Sequence, residues 1–124
     1  MTAIWHEERL LIDGALRIAE HDATYPVENP ATGGQLGVAA DATPADVEAA
    51  LAAARRAFDE SGWAGDVELR VRCLRQLHQA LVEHADQLTE LTIAEVGAPR
   101  SACATVQLTA PTEFLAYYAD LAEN

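Results

Sequence analysis

Short apolar runs alternate with turn residues over the first forty positions of the chain. Apolar residues at 10–12, 16 and 18 flank Asp13-Gly14, a dipeptide typical of tight hairpin turns. The segments TYPVENP and QLGVAAD flank a second turn that contains Asn29-Pro30 and Gly33-Gly34. Proline fixes φ and glycine supplies positive φ, so this stretch is typical of a turn. The pattern predicts two small hairpins, or a short antiparallel sheet, over about 10–40.

After Asp41 the apolar spacing changes from a period of two to a period of 3.6. Thr43 and Pro44 are typical of an N-cap and a first helical residue, and Gly62 is typical of a helix stop. We expect a helix over about 44–61. Its apolar stripe consists of Val47, Ala50, Leu51, Ala54 and Phe58.

Two further helical segments are predicted, over about 67–96 and about 101–123. The leucine stripe of the first is interrupted at His84, so we expect a break or an offset near His84–Asp86, with Asp86 as the cap of the helix that follows. Gly97 and Pro99 end this segment. In the last segment, Pro111 either kinks the helix or begins its second half.

The predicted fold class in isolation is α+β, mostly α with a small N-terminal antiparallel β-hairpin region. We treat residues 1–124 as a single partial domain. A small hairpin region covers only part of the apolar surface of such helices. Either the helices bundle among themselves, or further protein covers them.

Composition excludes several function classes. The net charge is −12, from 20 acidic residues and 8 basic residues that are all Arg. Such a surface repels phosphate backbones and anionic headgroups, so we expect neither nucleic-acid nor membrane binding. The chain has no lysine for a Schiff base or a P-loop. Cys73 and Cys103 form no dense disulfide framework, and we expect no signal peptide, which together favour the cytoplasm.

The sequence contains no convincing catalytic or cofactor-binding motif. Cys73 and His78 point in different directions on a helix, the histidines lack metal-ligand spacing, and GGQLG lacks the spacing of a phosphate loop. Glu95 is unusual, because an acid near a helix C-terminus meets the negative end of the dipole. It is either exposed and paired loosely with Arg100, or it lies beside a cation.

Five motifs in order resemble the N-terminal portion of the aldehyde dehydrogenase superfamily. They cover nearly the whole chain from residue 10, and read LLIDG, YPVENPATGGQLG, ADVEAALAAARRAFDESGW, RVRCLRQLHQALVEHADQLTELTIAEVGAP and FLAYYADLAEN. The resemblance implies that this chain is part of an α/β aldehyde dehydrogenase fold. In that family a cysteine thiolate attacks the aldehyde, hydride passes to NAD or NADP, and a glutamate activates water. The catalytic Cys, the catalytic Glu and the cofactor-binding core have no counterpart in residues 1–124.

The resemblance transfers only secondary site features. In some members, the carbonyls matching Val27 and Glu28 join the acid matching Glu95 in binding a monovalent cation, whose further ligands lie downstream. Val106 and Ala110 match positions that face the mouth of the substrate tunnel, although ordinary packing on one helical face would explain them equally well. The chain has Gly97-Ala98-Pro99 where the family commonly has GKP.

The sequence therefore predicts an N-terminal fragment of an NAD(P)-dependent aldehyde dehydrogenase, an oxidoreductase that converts an aldehyde to a carboxylic acid. We expect the fragment to be inactive alone and to bind neither NAD nor NADP. Its expected partner is the remainder of an aldehyde dehydrogenase, or another copy in a homo-oligomer. The alternative is a non-enzymatic helical interaction module that pairs with another chain.

Overall fold

A computed structural model of the chain describes residues 7–124, which divide into two compact units. The first unit extends to Gly62 and the second begins at Trp63. The first contains two hairpins and one helix, and the second is entirely helical. These helices and strands confirm the predicted α+β class with a small N-terminal β region. The prediction that the chain is a single partial domain stays a prediction.

The first hairpin forms where the sequence predicts it. Strands β1 (Arg9–Ile12) and β2 (Ala15–Ile18) pair antiparallel, with Leu11 opposite Leu16. Asp13 and Gly14 both adopt positive φ, 56° and 72°, as the two central residues of a type I′ turn require.

The second hairpin joins β3 (Thr24–Glu28) to β4 (Gln35–Ala40). The pairing shifts register between Val27 and Glu28, where β3 gives way to the turn. Asn29 is buried and organises that turn, because its carbonyl accepts hydrogen bonds from the amides of Thr32 and Gly33, at 3.2 and 2.9 Å. The predicted turn is confirmed. A short 3₁₀ turn at Glu20–Asp22 connects the two hairpins.

Helix α1 (Pro44–Glu60) begins with a capping box. The Asp46 amide donates to Thr43 Oγ1 at 3.3 Å, and Asp46 Oδ2 accepts from the Thr43 amide at 3.0 Å. The helix ends before Gly62, whose φ is +72°. Both predicted ends are thus correct to within one residue.

The second unit contains a broken helix in place of one continuous segment over 67–96. Helices α2 (Val67–Glu83) and α3 (Ala85–Val96) meet at His84, whose φ and ψ of −103° and 10° are not helical. The predicted break is confirmed, but the predicted cap is wrong. His84 occupies the N-cap position of α3 without a side-chain cap, and Asp86 lies inside the first turn. Gly97 ends α3 with φ of 68°, as predicted.

The last segment is also interrupted, which corrects the prediction of one helix over about 101–123. A short helix α4 (Arg100–Ala102) continues as a π-helical segment (Cys103–Gln107), and α5 (Thr109–Glu123) follows. Leu108 between them is non-helical, with φ of −130° and ψ of −53°. Pro111 is the third residue of α5, where the missing N–H costs little because the first amides of a helix have no partner within the helix. Pro111 therefore lies at the beginning of the second half of the predicted segment and does not kink that helix.

Helices α2 and α5 pack against each other and form the core of the second unit. They run antiparallel, since Val67 and Glu123 line one cavity whereas His78 lies nearer the start of α5. The buried residues of this unit are small or medium-sized: Val71, Ala94, Cys103, Thr112 and Ala119. Within residues 7–124, no helix is long and apolar enough to cross a membrane.

Candidate functional site

The residues that could carry nucleophilic chemistry lie apart from a catalytic arrangement. Cys103 is completely buried at the start of the π-helical segment, and Cys73 is half-buried on α2. The Nε2 atom of His78 is buried without a hydrogen-bond partner and lies 3.9 Å from Glu113 Oε1 on α5. This imidazole therefore faces a carboxylate of the neighbouring helix, and it does not activate a thiol.

The glycines of the second hairpin do not form a phosphate-binding loop. The amides of Thr32 and Gly33 donate to the Asn29 carbonyl, and the Gly34 amide donates to Thr32 Oγ1 at 3.2 Å. These donors are therefore occupied within the turn. Gln35 begins a strand where a phosphate loop would begin a helix.

The three predicted cation ligands are distributed over both units. Val27 is half-buried and Glu28 is exposed at the end of β3, and Glu95 is exposed in the last turn of α3. Arg100 Nη2 binds Glu90 Oε1 at 2.6 Å, so the predicted pairing of Arg100 with Glu95 is wrong.

Within the described part of the chain, no side-chain metal cluster supplements these ligands. Among residues 7–124, no group of three or more His, Cys, Asp or Glu residues is placed to hold a metal ion. The cation site, which relies on two backbone carbonyls, stays a prediction.

The two predicted tunnel residues lie on either side of the break at Leu108. Val106 belongs to the π-helical segment and is 66% exposed, and Ala110 is half-buried in the first turn of α5. The interruption changes the direction in which successive side chains project. Their role at a tunnel mouth stays a prediction.

Two helices expose large apolar side chains at helical spacing. On α1 the exposed residues are Val47, Leu51 and Phe58, and on α5 they are Phe114, Tyr117, Tyr118 and Leu121. The opposite face of α5 carries the buried Thr112 and Ala119. Each helix is therefore apolar on a face that its own unit leaves open, a feature typical of interaction surfaces.

One cavity of about 600 Å³ lies between the start of α2 and the end of α5. Two of its charged lining residues pair with each other, because Arg75 Nη2 binds Glu123 Oε2 at 2.6 Å, and the same atom binds Asp120 Oδ1 at 3.0 Å. These two carboxylates raise the pKa of Arg75 above its usual range. Its lining contains no cysteine, serine, threonine, tyrosine or histidine, and one of its two carboxylates, Glu123, is paired with Arg75, so no nucleophile–base pair lies there.

Comparison with known proteins identifies the relatives of this chain. The model of the aldehyde dehydrogenase family matches residues 18–124. The aminoacetaldehyde dehydrogenase of Pseudomonas aeruginosa is 32% identical over 118 residues, which cover 94% of this chain and 24% of the relative. Overall, the chain spans about a quarter of the length of the curated relatives it matches.

Solved structures agree with this match. The γ-glutamyl-γ-aminobutyraldehyde dehydrogenase of Burkholderia cenocepacia superposes with a TM-score of 0.88 at 35% identity, covering 95% of this chain and 24% of that structure. An aldehyde dehydrogenase of Mycobacterium tuberculosis, solved with NAD⁺, gives a TM-score of 0.86 at 31% identity, covering 95% of this chain and 25% of that structure.

Proposed function

Because this chain belongs to the aldehyde dehydrogenase family, we propose that it serves as the N-terminal quarter of an NAD(P)-dependent aldehyde dehydrogenase and is inactive alone. The complete enzyme would oxidise an aldehyde to a carboxylic acid. The observation that carries this proposal is the family match over residues 18–124. Its two units would then contribute surfaces to the enzyme, and the nucleophile, the base and the cofactor core would come from elsewhere.

The Asn29 turn and the starts of α1 and α2 do not fit the pyrophosphate of a dinucleotide. The amides of the Asn29 turn are occupied, and the start of α1 is capped by Thr43 and Asp46. Asp66 caps α2 by accepting from the Leu69 amide at 2.8 Å. Acidic caps at these two helix starts repel a pyrophosphate. This arrangement supports the expectation that the chain alone binds neither NAD nor NADP.

The untested site features form part of the same proposal. Val27, Glu28 and Glu95 would contribute oxygen ligands to a monovalent cation, together with ligands outside this chain. Val106 and Ala110 would face the mouth of the substrate tunnel. Two free cysteines, Cys73 and Cys103, support a reducing compartment, and we place the protein in the cytoplasm.

The activity of the purified chain tests this proposal. We expect no NAD- or NADP-dependent oxidation above background across a panel of aliphatic and aromatic aldehydes. The aminoacetaldehyde dehydrogenase of Pseudomonas aeruginosa, assayed on its named aldehyde, is the positive control. Turnover by this chain would contradict the proposal, because it would require a nucleophile and a cofactor site within residues 1–124.

A second candidate function is a non-enzymatic helical module that pairs with another chain. The observation that favours it is the exposed apolar face on each of α1 and α5. Co-expression with a full-length relative, followed by size-exclusion chromatography, distinguishes this function. A chain that always elutes as a compact monomer does not serve as a pairing module.

A further inference from the structure

The turn of the first hairpin contains the one Asp-Gly pair of the chain. Asp13 and Gly14 occupy its two central positions, and the sequence has no Asn-Gly. An aspartate followed by glycine is the dipeptide most prone to rearrange to isoaspartate, because glycine has no Cβ to obstruct ring closure. The space that a Cβ would occupy at Gly14 has no heavy atom within 4 Å apart from those of its chain neighbours. The turn therefore leaves this part of the backbone uncrowded.

The rearrangement needs only water and groups of the chain itself. The Gly14 amide nitrogen attacks Asp13 Cγ and forms a C–N bond, while the carboxyl OH and the amide hydrogen leave together as water. The product is a succinimide ring. Water then adds to one of the two ring carbonyls and breaks its bond to nitrogen. Opening at Cγ restores aspartate, whereas opening at the Asp13 backbone carbonyl leaves Gly14 joined through Cγ, which is isoaspartate of unchanged mass.

The hairpin must open locally before this ring can close. Ring closure requires the backbone and the side chain of Asp13 to rotate toward each other, and the pairing of Ile12 with Ala15 limits this rotation. Strands β1 and β2 form a sheet of only two strands, and Leu11 and Ile18 are 70% and 62% exposed. A two-stranded hairpin is marginally stable in water, so the turn opens at a small cost in free energy.

One tertiary contact holds the reacting carboxylate. Arg56 Nη2 on α1 donates to Asp13 Oδ2 at 2.8 Å, across 43 positions of the sequence. While this bond is formed, the carboxylate is directed at the guanidinium and is not free to turn toward the Gly14 amide. The two side chains are 48% and 49% exposed, so the ion pair is a weak one that breaks and forms again in water.

We propose that Asp13-Gly14 is a site of spontaneous isoaspartate formation and that Arg56 limits its rate by holding the turn closed. The inference goes beyond the proposed function and does not rest on it. Isoaspartate adds one backbone atom to a two-residue loop, so the product cannot keep the type I′ turn. The modification therefore removes the contact between Asp13 and Arg56 and loosens the hairpin from α1.

The test follows isoaspartate in the full chain during incubation for weeks at neutral pH. Trypsin cleaves after Arg9 and Arg17 and releases residues 10–17, LLIDGALR, which contain no other Asp. Liquid chromatography separates the two isomers of this peptide at equal mass, and isoaspartyl methyltransferase labels only the isoaspartate form. We expect isoaspartate to accumulate in this peptide before it appears at Asp22 or Asp41, which precede alanine.

The decisive variant is Arg56→Gln, which removes the bond to Asp13 and keeps a residue that favours helix. We expect isoaspartate to form about two to five times faster than in the wild type, the factor by which an exposed ion pair shifts an equilibrium. The matched control is Arg55→Gln, because Arg55 is the neighbouring arginine of the same helix and pairs with Asp59. This control should isomerise at the wild-type rate.

Salt provides a second measurement that needs no substitution. High salt screens the exposed ion pair, so it should raise the rate in the wild type and leave the rate of Arg56→Gln unchanged. A salt effect of the same size in both proteins would contradict the role of Arg56.

The remaining outcomes decide the other parts of the inference. Absence of isoaspartate in the wild type, under conditions in which synthetic LLIDGALR isomerises, would overturn the site. Equal rates in the wild type and in Arg56→Gln would overturn the role of Arg56. A rise of equal size in Arg55→Gln would assign the effect to the lost charge of the helix and overturn that role as well. None of these outcomes bears on the proposed function, which the aldehyde assay tests separately.

Discussion

At the residue scale, the carboxylate of Asp46 connects the start of α1 to the 3₁₀ turn that lies between the two hairpins. Asp46 Oδ2 accepts from the Thr43 amide at 3.0 Å and from the Glu20 amide at 3.1 Å. The Thr43 and Glu20 amides, in that order, lower the pKa of Asp46 below its usual range. The capping box was predictable from the Thr-Pro-Ala-Asp order, but the Glu20 contact spans 26 positions and was not.

This carboxylate makes stability depend on pH. Its pKa is lower in the folded chain than in the unfolded chain, so its stabilisation is complete above the unfolded value, about 4. The stabilisation is lost as pH falls through the folded value. We expect Asp46→Asn to be less stable than the wild type at pH 7, with a difference that shrinks below about pH 4.

Urea unfolding of both proteins between pH 7 and pH 2.5 measures this difference. Glu48→Gln, which neutralises an exposed carboxylate of the same helix, is the control and should be close to the wild type throughout. A difference that is constant across this pH range would exclude the charge of Asp46 as its cause.

At the element scale, α1 is a helix whose large apolar residues do not face its own unit. Ala53 is buried, and alanines 50, 53, 54 and 57 line a cavity of about 310 Å³ beside the first hairpin. Leu51 and Phe58 are exposed to 65% and 52%. Arg56 Nη2 reaches Asp13 Oδ2 at 2.8 Å and so connects the helix to the hairpin turn. The sequence predicted the helix, but the spacing alone did not say which side would be covered.

Two neighbouring substitutions test the orientation of α1. Ala53→Asp buries a carboxylate against the hairpin, and Ala52→Asp places the same group on the exposed side. The helix-propensity cost and the added charge are the same for both. We expect Ala53→Asp to be less stable than Ala52→Asp by about 1–3 kcal/mol, because only the first leaves a charged group poorly solvated. Equal free energies of unfolding would mean that the alanine face is not packed.

At the scale of the whole molecule, each unit has a modest core. Among the described residues, four of the buried side chains are alanines and the larger buried aliphatic side chains are Ile12, Leu36 and Val71, whereas most large aromatic residues are exposed. Apolar burial therefore contributes less per residue than in a domain whose Leu and Phe residues are internal. This distribution agrees with the proposal that the chain forms one part of a larger enzyme.

Amide hydrogen exchange tests this view of the isolated chain. Helix α2 begins with an Asp66 cap, whereas α5 begins at Leu108 without a side-chain cap and exposes its apolar stripe. We expect the amides of α5 to exchange faster than those in the centre of α2. Exchange measured by mass spectrometry or NMR separates the two helices. Strong and uniform protection through α5 would mean that the chain is stable without further protein.

The sequence by itself determined the features that depend on neighbours along the chain. The Asp13-Gly14 turn, the Thr43 cap and the stops at Gly62 and Gly97 follow from local backbone preferences, which act over a few residues. The break at His84 was visible as a polar residue in an apolar stripe. The ordered motifs were also sufficient to indicate the aldehyde dehydrogenase family, which the comparisons confirmed.

Only the tertiary structure decided which side chains pair and which helix faces are buried. It paired Arg100 with Glu90, interrupted the last helix at Leu108 and packed α2 against the small residues of α5. These outcomes depend on groups brought together from distant positions, and helical periodicity records only that a face is apolar. Whether that face is buried depends on its partner, and the outward face of α5, which carries Phe114, Tyr117, Tyr118 and Leu121, has no such partner within its own unit.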